Sequence, residues 1–257
     1  MKPGHAIWNG SIIFNSVAVP VKLHPAFRED RIQFHLLHRL DLVRLKRQMV
    51  CALDGSEVPA EDQARGFELE GGRYILVDPS DLEKAEPRQN RTIRVHEFVR
   101  AVEIDPVFLE NGYYLEPDPH DTGYGALVTA LAELRLAGIC TWAMRRRAYV
   151  GALQAGGKSL RLNVLRYAGE VVPAARLKLP FAPLSPRELK VGAELVNHMA
   201  GRFEPQKFED KHQERLRQMI DRKARGQKVS VRNPKQVRPT TPSTLLKVLE
   251  AGLKKVA

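Results

Sequence analysis

The sequence predicts a mainly β protein with some helix, a barrel or a sandwich, followed by a smaller helical region. In the first two-thirds of the chain, short runs rich in β-branched and aromatic residues alternate with glycine-containing turns, a pattern typical of barrels and sandwiches. Beyond a cluster of prolines, apolar residues instead repeat at helical spacing. The 257 residues suffice for one sizeable core domain with an appendage.

Apolar runs predict the strands in order along the chain. The predicted strands are 6–13, 17–23, 32–36, 43–50, 73–77, 92–99, 139–145, 149–154 and 159–165. Alternation within the fourth run would place Arg44 and Lys46 on one face of a strand. Asp54-Gly55 and Gly156-Gly157 predict tight turns, the second of them inside a hairpin.

Two helices are expected to interrupt this β region. The first is short and covers residues 79–85. The second is marked by apolar residues at helical spacing, after which Gly138 is expected to end the helix. These apolar residues are Tyr124, Leu127, Val128, Leu131 and Leu134.

Four prolines between residues 173 and 186 mark the predicted domain boundary, because no long periodic element can cross them. Ser185 is then the expected N-cap of a helix, and Glu188 completes its capping box. A second helix is predicted at about 209–225, with acids at its start and bases at its end.

The last part of the chain is basic. The formal net charge of the protein is +11, and residues 222–257 hold ten bases and one acid. We expect 227–243 to be disordered without DNA and 244–256 to form a short basic helix. This distribution indicates a polyanionic partner, nucleic acid or an anionic membrane surface, and favours a tail that contacts phosphates.

Charge is also unevenly distributed within the β region. Residues 68–133 carry 14 acids and 6 bases, whereas 134–169 carry seven bases and no acid. The triplet Arg145-Arg146-Arg147 is the sharpest feature, because guanidinium groups match phosphate oxygens in a two-pronged way. Trp142 lies close to this triplet, but it is interpreted as a core residue rather than a base-stacking platform, as is Trp8.

Several classes of protein are disfavoured. No apolar run approaches the roughly 18 residues that span a bilayer, and the start lacks a signal peptide. Cys51 and Cys140 cannot staple a fold of this size, which favours a reducing cytoplasm. Glycine-rich phosphate loops and the common hydrolase motifs are absent. We therefore expect a cytoplasmic protein that is not an enzyme, with no membrane partner.

Two local clusters could carry metal chemistry. His35 and His38 are interpreted as a structural pair rather than as ligands. Glu116, Asp118 and Asp121 gather carboxylates around two prolines, and a divalent-ion nuclease built on them is one alternative function. A zinc site at Cys51 is not expected, because a second cysteine is missing nearby. The prediction is no metal and no cofactor.

An ordered set of blocks resembles the bacterial Ku family. The blocks lie, in order along the chain, at 6–14, 19–23, 34–38, 46–47, 54–58, 66–68, 73–77, 81–83, 104–108, 113–117 and 188–205. Each block alone is weak evidence, but together they cover about residues 5–228 at similar spacing.

The resemblance implies a three-part chain. Residues 1–175 would form a seven-stranded-type β-barrel core with an arch-like insertion that encircles DNA. Residues 176–228 would be a C-terminal helical module, and 229–257 a basic tail. The family's homodimers form a ring around double-stranded DNA ends in non-homologous end joining. The helical module would recruit the ATP-dependent DNA ligase of that pathway, in the cytoplasm at the nucleoid.

The expected DNA contacts combine this resemblance with the charge pattern. The candidate residues are Lys22, Arg28, Arg31, Arg44, Lys46, Arg47, Arg145, Arg146, Arg147, Lys228, Arg232 and Lys235. A barrel that binds single strands or RNA is the other alternative, since basic grooves on barrels bind single strands with the help of stacked aromatics. Aromatic residues are only 7% of the chain, and few lie beside the basic clusters in sequence.

Overall fold

The computed structural model describes residues 5–28, 30–88, 90–119, 121–177 and 185–226. By its internal contacts the chain divides into two compact units. The first unit comprises Met1–Glu29 with His35–Ala174, and the second comprises Asp30–Phe34 with Ala175–Ala257. Within the described residues, every strand lies in the first unit.

The strands of the first unit form a closed barrel and a separate hairpin. They are β1 (Trp8–Phe14), β2 (Val17–Pro25), β3 (Arg65–Glu68), β4 (Tyr74–Val77), β5 (Thr92–Arg100), β6 (Leu109–Pro117), β7 (Leu136–Met144), β8 (Arg147–Gly156) and β9 (Ser159–Leu165). Among the described residues, seven strands close into a barrel in the order β1-β2-β6-β9-β8-β7-β5. Of the described strand pairs in this barrel, only β1 with β5 is parallel. The predicted mainly β class with a seven-stranded barrel is confirmed.

The barrel interior is filled by side chains that alternate along each strand. In β2, Val19, Val21 and Leu23 are buried, whereas Lys22 between them is exposed. A fully buried side chain of this size contributes about 1.5–3 kcal/mol relative to an exposed one. Trp142 is 3% exposed, which confirms that it belongs to the core.

The described helices are α1 (Pro79–Ala85), α2 (Gly123–Leu134), α3 (Pro186–Met199) and α4 (Lys211–Ala224). Helix α2 packs against the barrel end where β6 finishes and β9 begins. The Tyr124 hydroxyl donates to the Leu115 carbonyl at 2.5 Å and accepts from the Leu160 N–H at 2.8 Å. The predicted apolar stripe of this helix is buried except at Leu134.

Gly138 does not end α2, contrary to the prediction. The helix ends at Leu134 and is followed by Arg135 as its C-cap, which adopts a left-handed φ of 54°. Gly138 instead lies within β7, where an added Cβ would come within 3.1 Å of the Phe98 ring. The glycine therefore permits close packing inside the barrel wall.

Two predicted strands, 32–36 and 43–50, are wrong. These segments show only the isolated bridges Leu37–Arg44 and Val50–Glu57. Their apolar side chains alternate as a half-buried strand would, yet most of them are exposed because no described residue supplies a core beneath them. Arg44 and Lys46 consequently do not lie on the face of a strand.

Strands β3 and β6 have no counterpart among the predicted strands. Strand β6 carries Glu110, Asn111 and Gly112, which are poor strand formers. Its register also shifts between Leu109 and Gly112. Pairing with β2 on one side and β9 on the other overrides these local preferences.

The second unit contains α3 and α4. Ser185 caps α3, because its hydroxyl accepts from the Glu188 N–H at 3.3 Å while the Ser185 N–H donates to the Glu188 carboxylate at 2.8 Å. The predicted capping box is thereby confirmed, and its hydrogen bonds lower the pKa of Glu188. Asp210 caps α4. The predictions for 227–243 and 244–256 lie outside the described residues.

Candidate nucleic-acid interface

The arginine triplet lies at the turn that joins β7 to β8. Met144 pairs with Arg147, so Arg145 and Arg146 form a two-residue hairpin loop with φ values of 51° and 65°. Two-residue loops with positive φ at both positions favour Asn-Gly or Gly-Gly. A side chain in this conformation costs about 1–2 kcal/mol. Two arginines therefore occupy positions where they destabilise the local fold.

The three arginines have different surroundings. The Nε atom of Arg146 lies 3.3 Å from Oε1 of Glu86. Within the part of the chain that the structure describes, the side chains of Arg145 and Arg147 make no hydrogen bond or ion pair. The pKa of Tyr113 is raised mainly by burial, and the positive charge of Arg145 acts in the opposite direction. Arg145 thus lies near the partly buried Tyr113.

The strand pairing places this turn at one end of the barrel, which we call the arginine end. The arginine end is where β7 finishes and β8 begins, together with the start of β1 and the start of β5. A hollow of about 310 Å³ at this end is lined in part by Trp8, Asn9, Arg91 and Arg145. Helix α2 packs at the opposite end.

Arg91 is a member of this cluster that the sequence interpretation missed. It precedes β5, has a φ of 48°, and its carbonyl accepts from the Ser11 N–H at 3.0 Å. An added Cβ at Gly10 would lie 2.0 Å from that carbonyl oxygen, so a glycine is needed for this approach. The charge pattern of the sequence did not indicate Arg91 as a candidate, because the block 68–133 around it is predominantly acidic.

Lys22 and Arg28 lie on or near β2. The exposed Lys22 stands on the outer face of the barrel, with Asn9 and Glu116 as its cross-strand neighbours. Arg28 follows the end of β2, which pairs with the start of β6 at the arginine end. Arg31 belongs to the second unit.

Arg44, Lys46 and Arg47 are exposed in the insertion between β2 and β5. Backbone hydrogen bonds between Leu45 and Leu36 and between His38 and Val43 hold their segment in an irregular hairpin. Their segment takes no part in the strand pairing that forms the arginine end. Lys228, Arg232 and Lys235 lie outside the described residues.

The insertion also exposes many large apolar side chains. The exposed ones between residues 36 and 53 are Leu36, Leu37, Leu40, Leu42, Val43, Leu45, Met49, Val50 and Leu53. Leu40 and Leu53 are 88% and 93% exposed. Large apolar side chains exposed at this density are typical of a surface that another molecule covers.

The carboxylates considered for a nuclease make structural hydrogen bonds. Glu116 Oε2 lies 2.6 Å from Nε2 of His24. Asp121 accepts from the N–H groups of Gly123 and Tyr124 at the start of α2, at 2.6 and 3.0 Å. Among the described residues, no group of three or more His, Cys, Asp or Glu side chains is arranged to hold a metal ion. The geometry therefore gives the nuclease alternative no support.

No helix in the described ranges is both long and apolar enough to cross a membrane.

Comparison with known proteins agrees with this architecture. The family model of the Ku70/Ku80 beta-barrel domain matches residues 13–191. A Non-homologous end joining protein Ku 2 from Geotalea uraniireducens is 52% identical over 254 residues, which cover 99% of each chain. A Non-homologous end joining protein Ku from Anaeromyxobacter sp. is 37% identical over 87% of this chain and 77% of its own. The chain forms a closed barrel and matches the family model and its relatives over most of its length, so it belongs to the Ku family.

Proposed function

We propose that this protein binds the ends of double-stranded DNA, without regard to sequence, in non-homologous end joining. The observation that carries this proposal is the pair of arginines in the strained β7–β8 turn, flanked by Arg91 and Arg147. Guanidinium groups at one end of a rigid barrel suit contact with phosphates, which position a duplex but carry no sequence information. The names of the relatives support the pathway.

The proposed assembly is a homodimeric ring. Each chain would contribute the insertion between β2 and β5 as an arch, and the apolar residues at 36–53 would be covered by the second copy. Arg44, Lys46 and Arg47 would then face the duplex from the arch. Lys22, Arg28 and Arg31 are proposed to add phosphate contacts, as are Lys228, Arg232 and Lys235.

We further propose the three-part organisation 1–175, 176–228 and 229–257, with the middle part recruiting an ATP-dependent DNA ligase. The exposed apolar residues Leu189, Val196 and Met199 on α3 suit such a contact. A ring held on a DNA end would raise the local concentration of the ligase there. The protein would act as a binding factor at the cytoplasmic nucleoid and would need no cofactor.

Competition between DNA forms tests the ring. A plasmid is prepared as a covalently closed circle and as the same plasmid cut once, and each competes against a labelled blunt duplex. The linear form should compete in proportion to its ends, and the closed circle should compete weakly, because a closed ring loads only at an end. Equal competition by closed circles would refute the ring. A single-stranded competitor is tested in the same assay, and stronger competition by it than by the linear duplex would favour the single-strand alternative.

Ligase recruitment has its own test. Adding the protein to an ATP-dependent end-joining ligase should raise the rate of joining of blunt duplexes. The substitutions Leu189→Ser and Val196→Ser should abolish this stimulation and leave DNA binding unchanged. Full stimulation by the doubly substituted protein would contradict the role proposed for α3.

A further inference from the structure

A second hollow lies at the arginine end of the barrel. Its volume is about 510 Å³, which is within the range of small-molecule sites in proteins. We call it the tyrosine pocket, because Tyr113, Tyr149 and Tyr167 line it. Arg147, Glu110 and Glu170 supply its charged groups. Local patterns in the sequence do not reveal this cluster, since its aromatic residues come from three separate segments.

Tyr149 is a rigid part of the pocket wall. Its ring stacks on the buried Trp142, with centroids 5.2 Å apart and an angle of 18° between the planes. Trp142 is in turn packed over Gly151, where an added Cβ would lie 2.6 Å from the indole ring. Because Tyr149 is already ordered, contact with a ligand would cost little conformational entropy.

The polar groups of the pocket are arranged for a ligand that has both negative charge and hydrogen-bond donors. The guanidinium group of Arg147 has no hydrogen-bond or ion-pair partner among the described residues. Glu170 is held in place, since it accepts from the Tyr167 N–H at 2.7 Å. The carboxylates of Glu110 and Glu170 can accept from the N–H groups of bases. A nucleotide offers a phosphate for Arg147, an aromatic face for the tyrosines and N–H donors for the carboxylates.

We propose that the tyrosine pocket binds an unpaired nucleotide of a single-stranded overhang at the DNA end. The base would stack on tyrosine and its phosphate would contact Arg147. Stacking of this kind tolerates any base, because every base has a π-face. The inference rests on the proposed function, since the pocket lies beside the arginines that are proposed to hold the duplex. A protein that binds ends without regard to sequence would thereby distinguish ends by their shape.

Binding measurements with two DNA ends test the pocket. The full chain is titrated with a blunt duplex and with the same duplex carrying a three-nucleotide overhang. The overhang should bind about five- to tenfold more tightly, as expected for one or two stacked bases. Tyr167→Ala should abolish this preference and leave the affinity for the blunt duplex unchanged. Tyr114→Ala is the matched control, because Tyr114 is similarly exposed but lies outside the pocket.

Photocrosslinking gives a readout that needs no variant. With 5-iodouracil as the terminal overhang base, the crosslinked peptide should contain Tyr113, Tyr149 or Tyr167. Crosslinks confined to other segments, or equal affinity for blunt and overhanging ends, would overturn the pocket. Neither result would affect the proposed end binding, which is tested separately by the competition between closed circles and linear DNA.

Discussion

Nε of Arg146 lies 3.3 Å from Oε1 of Glu86, so one of the arginines in the β7–β8 turn already has a carboxylate partner. The Glu86 side chain is 25% exposed and that of Arg146 is 67% exposed. A phosphate that contacts Arg146 must therefore compete with Glu86. In the absence of DNA, this ion pair offsets part of the positive charge of the arginine end.

Removing this competition should strengthen binding. Glu86→Gln is expected to lower the dissociation constant for duplex DNA by up to about fivefold at low salt, since an exposed ion pair is worth about 0–1 kcal/mol. The salt dependence should steepen by up to about 0.9 in the log–log slope if Arg146 gains a phosphate. Fluorescence anisotropy at several salt concentrations measures both quantities.

Glu103→Gln is the control for net charge. It releases Arg100 from an equivalent ion pair of 2.6 Å at the end of β5, away from the arginine end. Binding by this variant should stay close to that of the original protein. An equal gain in both variants would show that overall charge, and not Arg146, is responsible.

Replacing the strained turn should separate stability from binding. The double substitution Arg145→Asn with Arg146→Gly suits a two-residue loop with positive φ at both positions. It should raise the free energy of unfolding by about 1–2 kcal/mol, because the strain of two arginines is relieved. It should also weaken DNA binding and lower the salt slope by about 0.9 for each phosphate that the variant no longer neutralises.

Urea denaturation and anisotropy measure these two effects. Arg147→Gln serves as the comparison, since Arg147 has no positive φ in the structure and only its charge is removed. That variant should weaken binding without stabilising the fold. A loss of stability in the Asn-Gly variant would contradict the argument from strain.

The exposed apolar surface of the insertion should govern dimerisation. Leu40 is 88% exposed in the single chain, so Leu40→Asp should leave the folded protomer intact and disfavour burial against a second copy. Light scattering coupled to size exclusion should show a shift from dimer to monomer. Val102→Asp is the control, because Val102 is 84% exposed in a short turn after β5. A dimer that persists in the Leu40 variant would place the interface elsewhere.

The Tyr124 hydroxyl should be important for the stability of the barrel. Tyr124→Phe removes a hydrogen bond to the Leu115 carbonyl and leaves the buried Leu160 N–H without its acceptor. The expected cost is about 1–3 kcal/mol, measured as a lower midpoint in urea. Tyr114→Phe should have no such effect, since the Tyr114 side chain is on the exposed face of β6.

Prediction from sequence succeeded where local pattern and burial agree. The apolar run at 17–23 and the helical spacing in α2 both matched a real core, and Ser185 with Glu188 formed a cap that depends only on neighbours. It failed at 32–36 and 43–50, where the same alternation has no core beneath it. It also missed β6, whose poor strand formers are held by strands distant in sequence.

The amino-acid sequence by itself determined the class of the fold, the basic triplet at 145–147 and the helical character of the C-terminal region. These depend on spacing and charge, which are properties of neighbouring residues. Only the tertiary structure decided that the triplet lies in a strained turn, that Arg91 joins it and that three tyrosines gather beside Arg147. Barrel closure brings these residues together, because pairing across the sheet places strand ends that are far apart in the chain next to one another.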